Sequence, residues 1–495
     1  MAVKVDTQKE IIFGSSDPNV SRVLSKKEKD GELRKLAPRI YTTNLIDSPE
    51  NIVRRNLIEI LAYRYPNALI SHRSAKEMRP TSTGDFFLTN STTRRVVDLP
   101  GIILNFVKGP KATANDIPFM GLHISGEHRY MLENMQLSRK SGDESRVLPI
   151  AVIENKLEQL LLTGGEERLN QYRDELRDIA NELGMTDEFS KINNIISALL
   201  STHDAKVLST DSAKARAAGN PFDANRVELF EILFDTIKDR YFVIRNNRNT
   251  DEDSFRLFSF FESYFSNYIE GTEFDIEEAK EIVDSGIPMP RRDEDSHDIL
   301  GTFKILSNRA EMMRVPTSPE ELFAILSHRH TILLEGRPHM NPGVFKMRNN
   351  RAGQTEFVDY QLVKGTLSQG FKYYSALTDP FARAIFMMFM ISEIHPFNDG
   401  NGRIARVMMN AEFVRADQSR IIVPTVFRED YILALRKLTR HKDPMAYINV
   451  MTKLHQFSDN LYGTDFTELK NYLAACNAYE EPSQAKLQII DRTII

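Results

Sequence analysis

Apolar positions change their period several times along the chain, and the changes lay out its elements. Residues 24–35 are heavily charged and predict a helix capped by Ser25. Residues 51–65 place Ile52, Leu57, Ile58 and Leu61 at helical spacing. After Pro66 the apolar runs shorten, and 85–90, 95–99 and 102–107 read as strands separated by turn signals. A polar connector at 137–147 leads into two charged amphipathic helices, 153–162 and 166–183, with Glu167–Arg168 and Glu175–Arg177 on solvated faces. Residues 211–225, with Gly219, Asn220 and Pro221, read as a turn. The polar run 245–254 is the clearest boundary in the chain. Beyond it nearly everything has helical period. The exception is 337–358, whose Pro338, Pro342, Gly343 and Gly353 predict a loop leading into a small hairpin.

Composition narrows the class. At 495 residues, 41% hydrophobic and 27% charged, the chain has material for two to four packed domains, at about 150 residues per domain, and is not a disordered chain. No stretch approaches the ~18 apolar residues of a membrane span. The first residues, MAVKVDTQKE, lack the apolar run of a secretory leader, and the single cysteine, Cys476, fits a reducing compartment as a small packed side chain. Together these predict a cytoplasmic protein with no membrane partner. Residues 1–112 hold 19 Lys/Arg against 12 Asp/Glu, a net of +7, while the remainder carries −12. That basic excess is compatible with nucleic acid but too modest to decide anything. Small helices followed by short strands in this region form the pattern of a winged-helix unit.

The chemistry concentrates in residues 395–406, HPFNDGNGRIAR. Upstream, 381–394 is an almost unbroken apolar helix, which Pro396 stops with His395 at its C-terminal edge. The turn Asp399-Gly400-Asn401-Gly402 opens a new helix. Several backbone N–H groups and the positive end of the helix dipole then point at one spot, an anion cradle. Arg403 and Arg406 are three apart on the first turn, so both can reach the same anion. Asp399 is a hard oxygen ligand suited to Mg²⁺, and His395 has the pKa range of a base at neutral pH. Phe397 alternates with the polar positions and predicts an anchor into the core. A glycine-rich turn between two core helices is the plainer alternative.

These residues match the fingerprint HPFx(D/E)GNGRxxR of Fic-domain proteins at every fixed position. Chance odds are roughly 10⁻¹⁰ per starting point. The resemblance implies a mainly α protein: an all-helical Fic core with a β-hairpin flap, whose active members mostly transfer AMP from ATP to a protein Ser, Thr or Tyr hydroxyl. By that resemblance His395 is the general base and Asp399 the Mg²⁺ ligand. Phe397, Gly400, Asn401, Gly402 and Arg403 form the nucleotide-binding loop, and Arg406 contacts the γ-phosphate. Residues 342–353, PGVFKMRNNRAG, resemble the start of the flap, so a target hydroxyl would dock near 347–358 by main-chain pairing.

Residues 31–42 and 65–75 are similar to the N-terminal module of type IV abortive-infection antitoxin-like regulators, which implies an α+β winged-helix-like domain that binds DNA or a protein. His72, in that stretch, reads as structural. The division that follows is 1–112 winged-helix-like, 113–250 helical connecting region, 251–460 Fic domain and 461–495 tail. DNA and a second copy of the chain are further partners this reading allows.

Many Fic proteins carry an inhibitory (S/T)xxxE(G/N) helix, and Ser266–Gly271 (SNYIEG) fits; so does Thr331–Gly336 (TILLEG), whose glutamate is Glu335. Position N-terminal to the core and the continuation IEGTEFDIEEA favour Glu270. Ser266 and Glu270 share a helix face, and the resemblance implies a pair between Glu270 and Arg406 that denies the arginine to ATP. Two other classes fit the same chain: a DNA-binding transcriptional or antitoxin-like regulator whose Fic domain senses nucleotide, and an enzyme that removes AMP through Glu270.

Overall fold

The computed structural model describes residues 9–90, 92 and 94–492. The chain divides into two compact units, Met1–Ala218 and Gly219–Ile495.

The first unit is α+β. Ile11–Phe13, Ile40–Thr42 and Arg34–Ala37 form a three-stranded antiparallel sheet. Its helix is Pro18–Lys29, not 24–35. Asp17 caps it by accepting the Asn19 N–H, Pro18 takes the first helical position, and the chain is already in strand by Arg34. The helix expected over 51–65 is two helices, Pro49–Arg55 and Leu57–Arg64, divided at Asn56 (φ −104°, ψ 14°). The three expected strands appear as Asp85–Asn90, Arg95–Leu99 and Ile102–Lys108, within a six-stranded mixed sheet. Asp85–Asn90 and Ile102–Lys108 run parallel, so Phe86, Leu88, Leu104 and Phe106 share one face and bury against Ile52, Ile60 and Leu61.

The two expected amphipathic helices lie within Ile150–Leu183 and are separated at Gly165, whose non-helical backbone (φ 67°, ψ −171°) is a conformation open to glycine. Residues 211–225 are not all turn. Thr210 caps a helix, Asp211–Ala217, and the turn is confined to the residues after it, beginning at Gly219 (φ 79°). His72 is buried between Ser71 and Gln136, a structural placement.

The second unit is helical. Pro380–Ile394 is its axis: Ala384–Ile391 are all fully buried, because Ala224–Ile237, Val363–Ala376 and Asn401–Arg415 pack around it. The run 245–254 makes tertiary hydrogen bonds: Asn247 N–H donates to Asp417 O, Ser419 N–H to Arg245 O, and Asn249 Nδ2 to Leu461 O. The hairpin lies where expected, Arg351–Ala352 against Thr355–Glu356. Within 461–495 a helix, Phe466–Ala475, sets Phe466 against Phe260 and Phe261, and Cys476 is buried. Among the described residues no helix is long and apolar enough to cross a membrane.

Candidate active site

His395 caps the Pro380–Ile394 helix in the left-handed conformation (φ 49°, ψ 65°), so the chain turns sharply where Pro396 forbids further helix. Its Nδ1 lies 2.5 Å from the Ser392 carbonyl oxygen. A carbonyl only accepts, so Nδ1 carries the proton and Nε2 keeps its lone pair. The Phe357 ring lies flat on the imidazole, with centroids 3.4 Å apart and planes within 7°. Burial lowers the His395 pKa to about 4, aided by Lys346 and opposed by the Ser392 carbonyl, Glu270 and Asp399. The imidazole is therefore neutral at physiological pH.

The loop that follows is locked from behind. Phe397 is fully buried, stacked on His330 (3.7 Å, 7°). Its N–H donates to Asn401 Oδ1, and its carbonyl accepts from Asn401 Nδ2 and Asn350 Nδ2, each at 2.9 Å. Phe397 and the buried Asn401 side chain thus hold the loop's shape from the core side. His330 Nδ1 accepts the Gly343 N–H at 2.9 Å, which leaves Nε2–H to donate to the Asp399 carbonyl at 3.0 Å. Gly400 (φ 71°) begins the Asn401–Arg415 helix without a side-chain cap. The first N–H groups of that helix are accordingly free to hold an anion.

Glu270 stands beside that helix start. It ends the Glu252–Ile269 helix, and its carboxylate stands over Gly402, where a Cβ would collide with it. Arg406, 5% exposed, donates from Nε to Ser266 Oγ at 2.9 Å and from NH2 to both the Ser266 carbonyl (2.8 Å) and Glu270 Oε1 (2.7 Å). Burial pushes the Glu270 carboxyl up, but Arg406, with Arg403 and His395, pulls it below its ordinary value. The pair is ionised. Arg403 turns inward to Asp298 (2.7 Å) and lies 3.6 Å from Asp399, whose side chain is 39% exposed. Asp298 also pairs with Arg337. Glu335, the other motif glutamate, is an exposed partner of Lys304.

His395, Asp399, Gly400, Gly402, Arg406, Ser266 and Glu270 therefore converge, with Arg403 behind them. His330, Asp298 and Phe357 were not foreseen from sequence. Each acts through a partner distant in the chain, and a lone histidine, an acidic run and a loop phenylalanine carry no spacing signal.

Residues 318–412 match the family model described as the Fic/DOC family. This segment is a Fic/DOC domain. The chain is 25% identical over 214 residues to the protein adenylyltransferase Fic of Nematostella vectensis, covering 40% of this chain and 47% of that one. It is 29% identical over 115 residues to protein adenylyltransferase fic-1 of Caenorhabditis elegans (23% and 22%) and 32% over 89 residues to protein adenylyltransferase Fic of Drosophila willistoni (18% and 18%). The chain thus spans less than half the length of these curated relatives. Among solved structures, Fic-1 (residues 134–508) from C. elegans aligns over 66% of this chain and 92% of its own, at 16% identity and TM-score 0.35. A Fic domain containing signaling protein from Bacteroides thetaiotaomicron aligns over 48% and 94%, at 16% identity and TM-score 0.36. The Fic/DOC segment begins with the Pro319–Leu333 helix that carries His330 and ends on the helix that carries Arg406. Glu270 lies upstream of it.

Proposed function

We propose that the second unit is a protein adenylyltransferase, transferring AMP from ATP to a protein hydroxyl, and that Glu270 holds it off. One observation carries the reading: a carboxylate of this chain sits at the start of the Asn401–Arg415 helix, paired with Arg406, where a phosphate would sit. The adenylyltransferase names of the relatives agree with it.

With Glu270 withdrawn, the N–H groups from Gly400 to Arg403 and the Arg406 fork would take the β- and γ-phosphates of ATP. His395 Nε2 would accept the proton of an incoming hydroxyl as that oxygen attacks the α-phosphorus and pyrophosphate leaves on the opposite side. Nδ1–H, held by Ser392, keeps the tautomer correct throughout. Asp399 suits Mg²⁺: a single half-exposed carboxylate beside a phosphate cradle is the donor set this ion takes, with phosphate oxygens and water completing it. Among the described residues no cluster of three or more His, Cys, Asp or Glu offers an all-protein site. The ion would neutralise charge on the leaving pyrophosphate. A target segment would lie along the exposed hairpin edge at 351–356.

Incubation with α-labelled and γ-labelled ATP tests this, with wild type, Glu270→Gly and His395→Ala compared. Protein-bound label from the α position alone, raised by the first substitution and abolished by the second, is the expected result. Label from the γ position would mean kinase chemistry. Release of AMP from a modified protein that requires Glu270 would mean the reverse reaction.

A further inference from the structure

The flap hairpin pairs two residues on each side, and most of it is exposed. So short a ladder does not hold itself in water. Its end is nevertheless placed closely, because Phe357 lies flat on His395. Beside the Phe357 N–H bond to the Asn350 carbonyl and the fully buried Val358, a side-chain tie to that end comes from Arg226, on the helix Ala224–Ile237, almost a hundred residues before the Fic/DOC segment. One arm of its guanidinium pairs with Glu393, and the other donates to the Glu356 carbonyl oxygen at 2.5 Å. Glu393 is buried, two residues before His395 on the same helix, and its second carboxylate oxygen accepts from Thr439 Oγ1 at 2.7 Å. Arg440 adds a hydrogen bond to Thr355 Oγ1.

We propose that Arg226 is a positioning residue for the base: it ties the end of the flap to the helix that carries His395 and so keeps Phe357 stacked on the imidazole. Two contacts define the ring. The Nδ1–H bond to Ser392 fixes its edge, and the stack fixes its plane, which together aim Nε2. A guanidinium can serve both acceptors at once because its donors form a rigid fork; an ammonium on Glu393 is a point charge that cannot span them. Loosening Arg226 frees the carbonyl of Glu356, lets Phe357 swing away and opens one face of the imidazole to water. The charged groups that face His395 from neighbouring elements, Glu270, Lys346 and Asp399, stay as they are.

The rate part of the test rests on the AMP-transfer reading, and the spectroscopic part does not. In the full chain carrying Glu270→Gly, Arg226→Lys and Phe357→Leu are each expected to lower kcat for AMP transfer about tenfold while the KM for ATP stays within twofold. Phe357→Tyr keeps the ring and should restore the rate. The double variant should fall no further than the worse single one, because both act on one contact. NMR titration of ¹³C-labelled histidine in the same proteins reads the stack directly. The His395 midpoint, near 4 with the stack in place, should rise toward the ordinary 6.5 in Arg226→Lys and Phe357→Leu but not in Phe357→Tyr. Arg226→Lys keeps the charge opposite Glu393, and Phe357→Leu leaves that pair untouched, so neither threatens the fold. An unmoved midpoint in both overturns the proposal. A moved midpoint in a protein that transfers no AMP upholds it and refutes the AMP-transfer reading instead.

Discussion

Replacing Glu270 with glycine removes the carboxylate from above Gly402 and frees one side of Arg406. The bond lost is charge-assisted, 2.7 Å long, between an arginine that is 5% exposed and a carboxylate whose side chain is 35% exposed. Such bonds contribute about 1.5–3 kcal/mol, and partial exposure places this one toward the lower end. ATP must displace the carboxylate before its γ-phosphate can reach Arg406, so the same free energy opposes nucleotide binding. At tenfold per 1.4 kcal/mol, removing it should raise self-modification at subsaturating ATP by roughly 10- to 30-fold. ATP affinity measured by calorimetry should tighten by a similar factor. The fold should tolerate the change, because Arg406 keeps both Ser266 contacts and position 270 has ordinary backbone angles (φ −86°, ψ 1°). Glu335→Gly is the matched control: that glutamate fits the same sequence pattern but faces Lys304 on the surface, and its loss should change nothing. A rise below twofold for Glu270→Gly, or an equal rise for Glu335→Gly, would refute the argument.

Three further outcomes follow from the same geometry. The working form of His395 is the neutral imidazole, and its pKa is lowered from 6.5 to about 4. Activity should therefore persist as pH falls through 6.5 and be lost only near 4, and an acid limb of kcat/KM centred at 6.5 would contradict this. Gly402→Ala places a methyl group against the Glu270 carboxylate and within 3.2 Å of the Arg406 guanidinium; transfer should stay at least tenfold down even with Glu270→Gly, since the methyl also blocks the phosphate site. If Glu270→Gly fully rescues Gly402→Ala, the cradle is misplaced. His330→Ala removes a buried ring, its stack on Phe397 and two hydrogen bonds, and should cost about 3 kcal/mol in denaturant unfolding; a loss under 1 kcal/mol would show that the loop does not depend on it.

Much of the second unit could be read from local pattern. The apolar run before His395, the proline that stops it and the glycine turn that restarts a helix act over a few residues. Their consequence, a left-handed His395 and an uncapped helix start at Gly400, appears in the structure. Ser266 and Glu270 were readable only through the resemblance to the inhibitory (S/T)xxxE(G/N) motif, since Thr331 and Glu335 have the same spacing; their shared helix face then follows from being four apart. Element limits in the first unit were less so. Asp17 outcompeted Ser25 as a cap, and a break at Asn56 divided one apparent helix into two. Parallel pairing between Asp85–Asn90 and Ile102–Lys108 leaves no mark on either strand alone, because the apolar pattern of a strand reports which faces are covered and not which way its neighbour runs.

What the chain determines by itself is the short-range chemistry: a cradle of backbone amides, an imidazole beside it and a glutamate at fixed helical spacing from a serine. Tertiary structure decided which of these groups are free and which are taken. Arg403 is drawn inward by Asp298, Arg406 is taken by Glu270, and His395 is held flat by Phe357 through an arginine far upstream. The reason is that pairing energy depends on distance and burial, and both are set only when helices remote in sequence pack together.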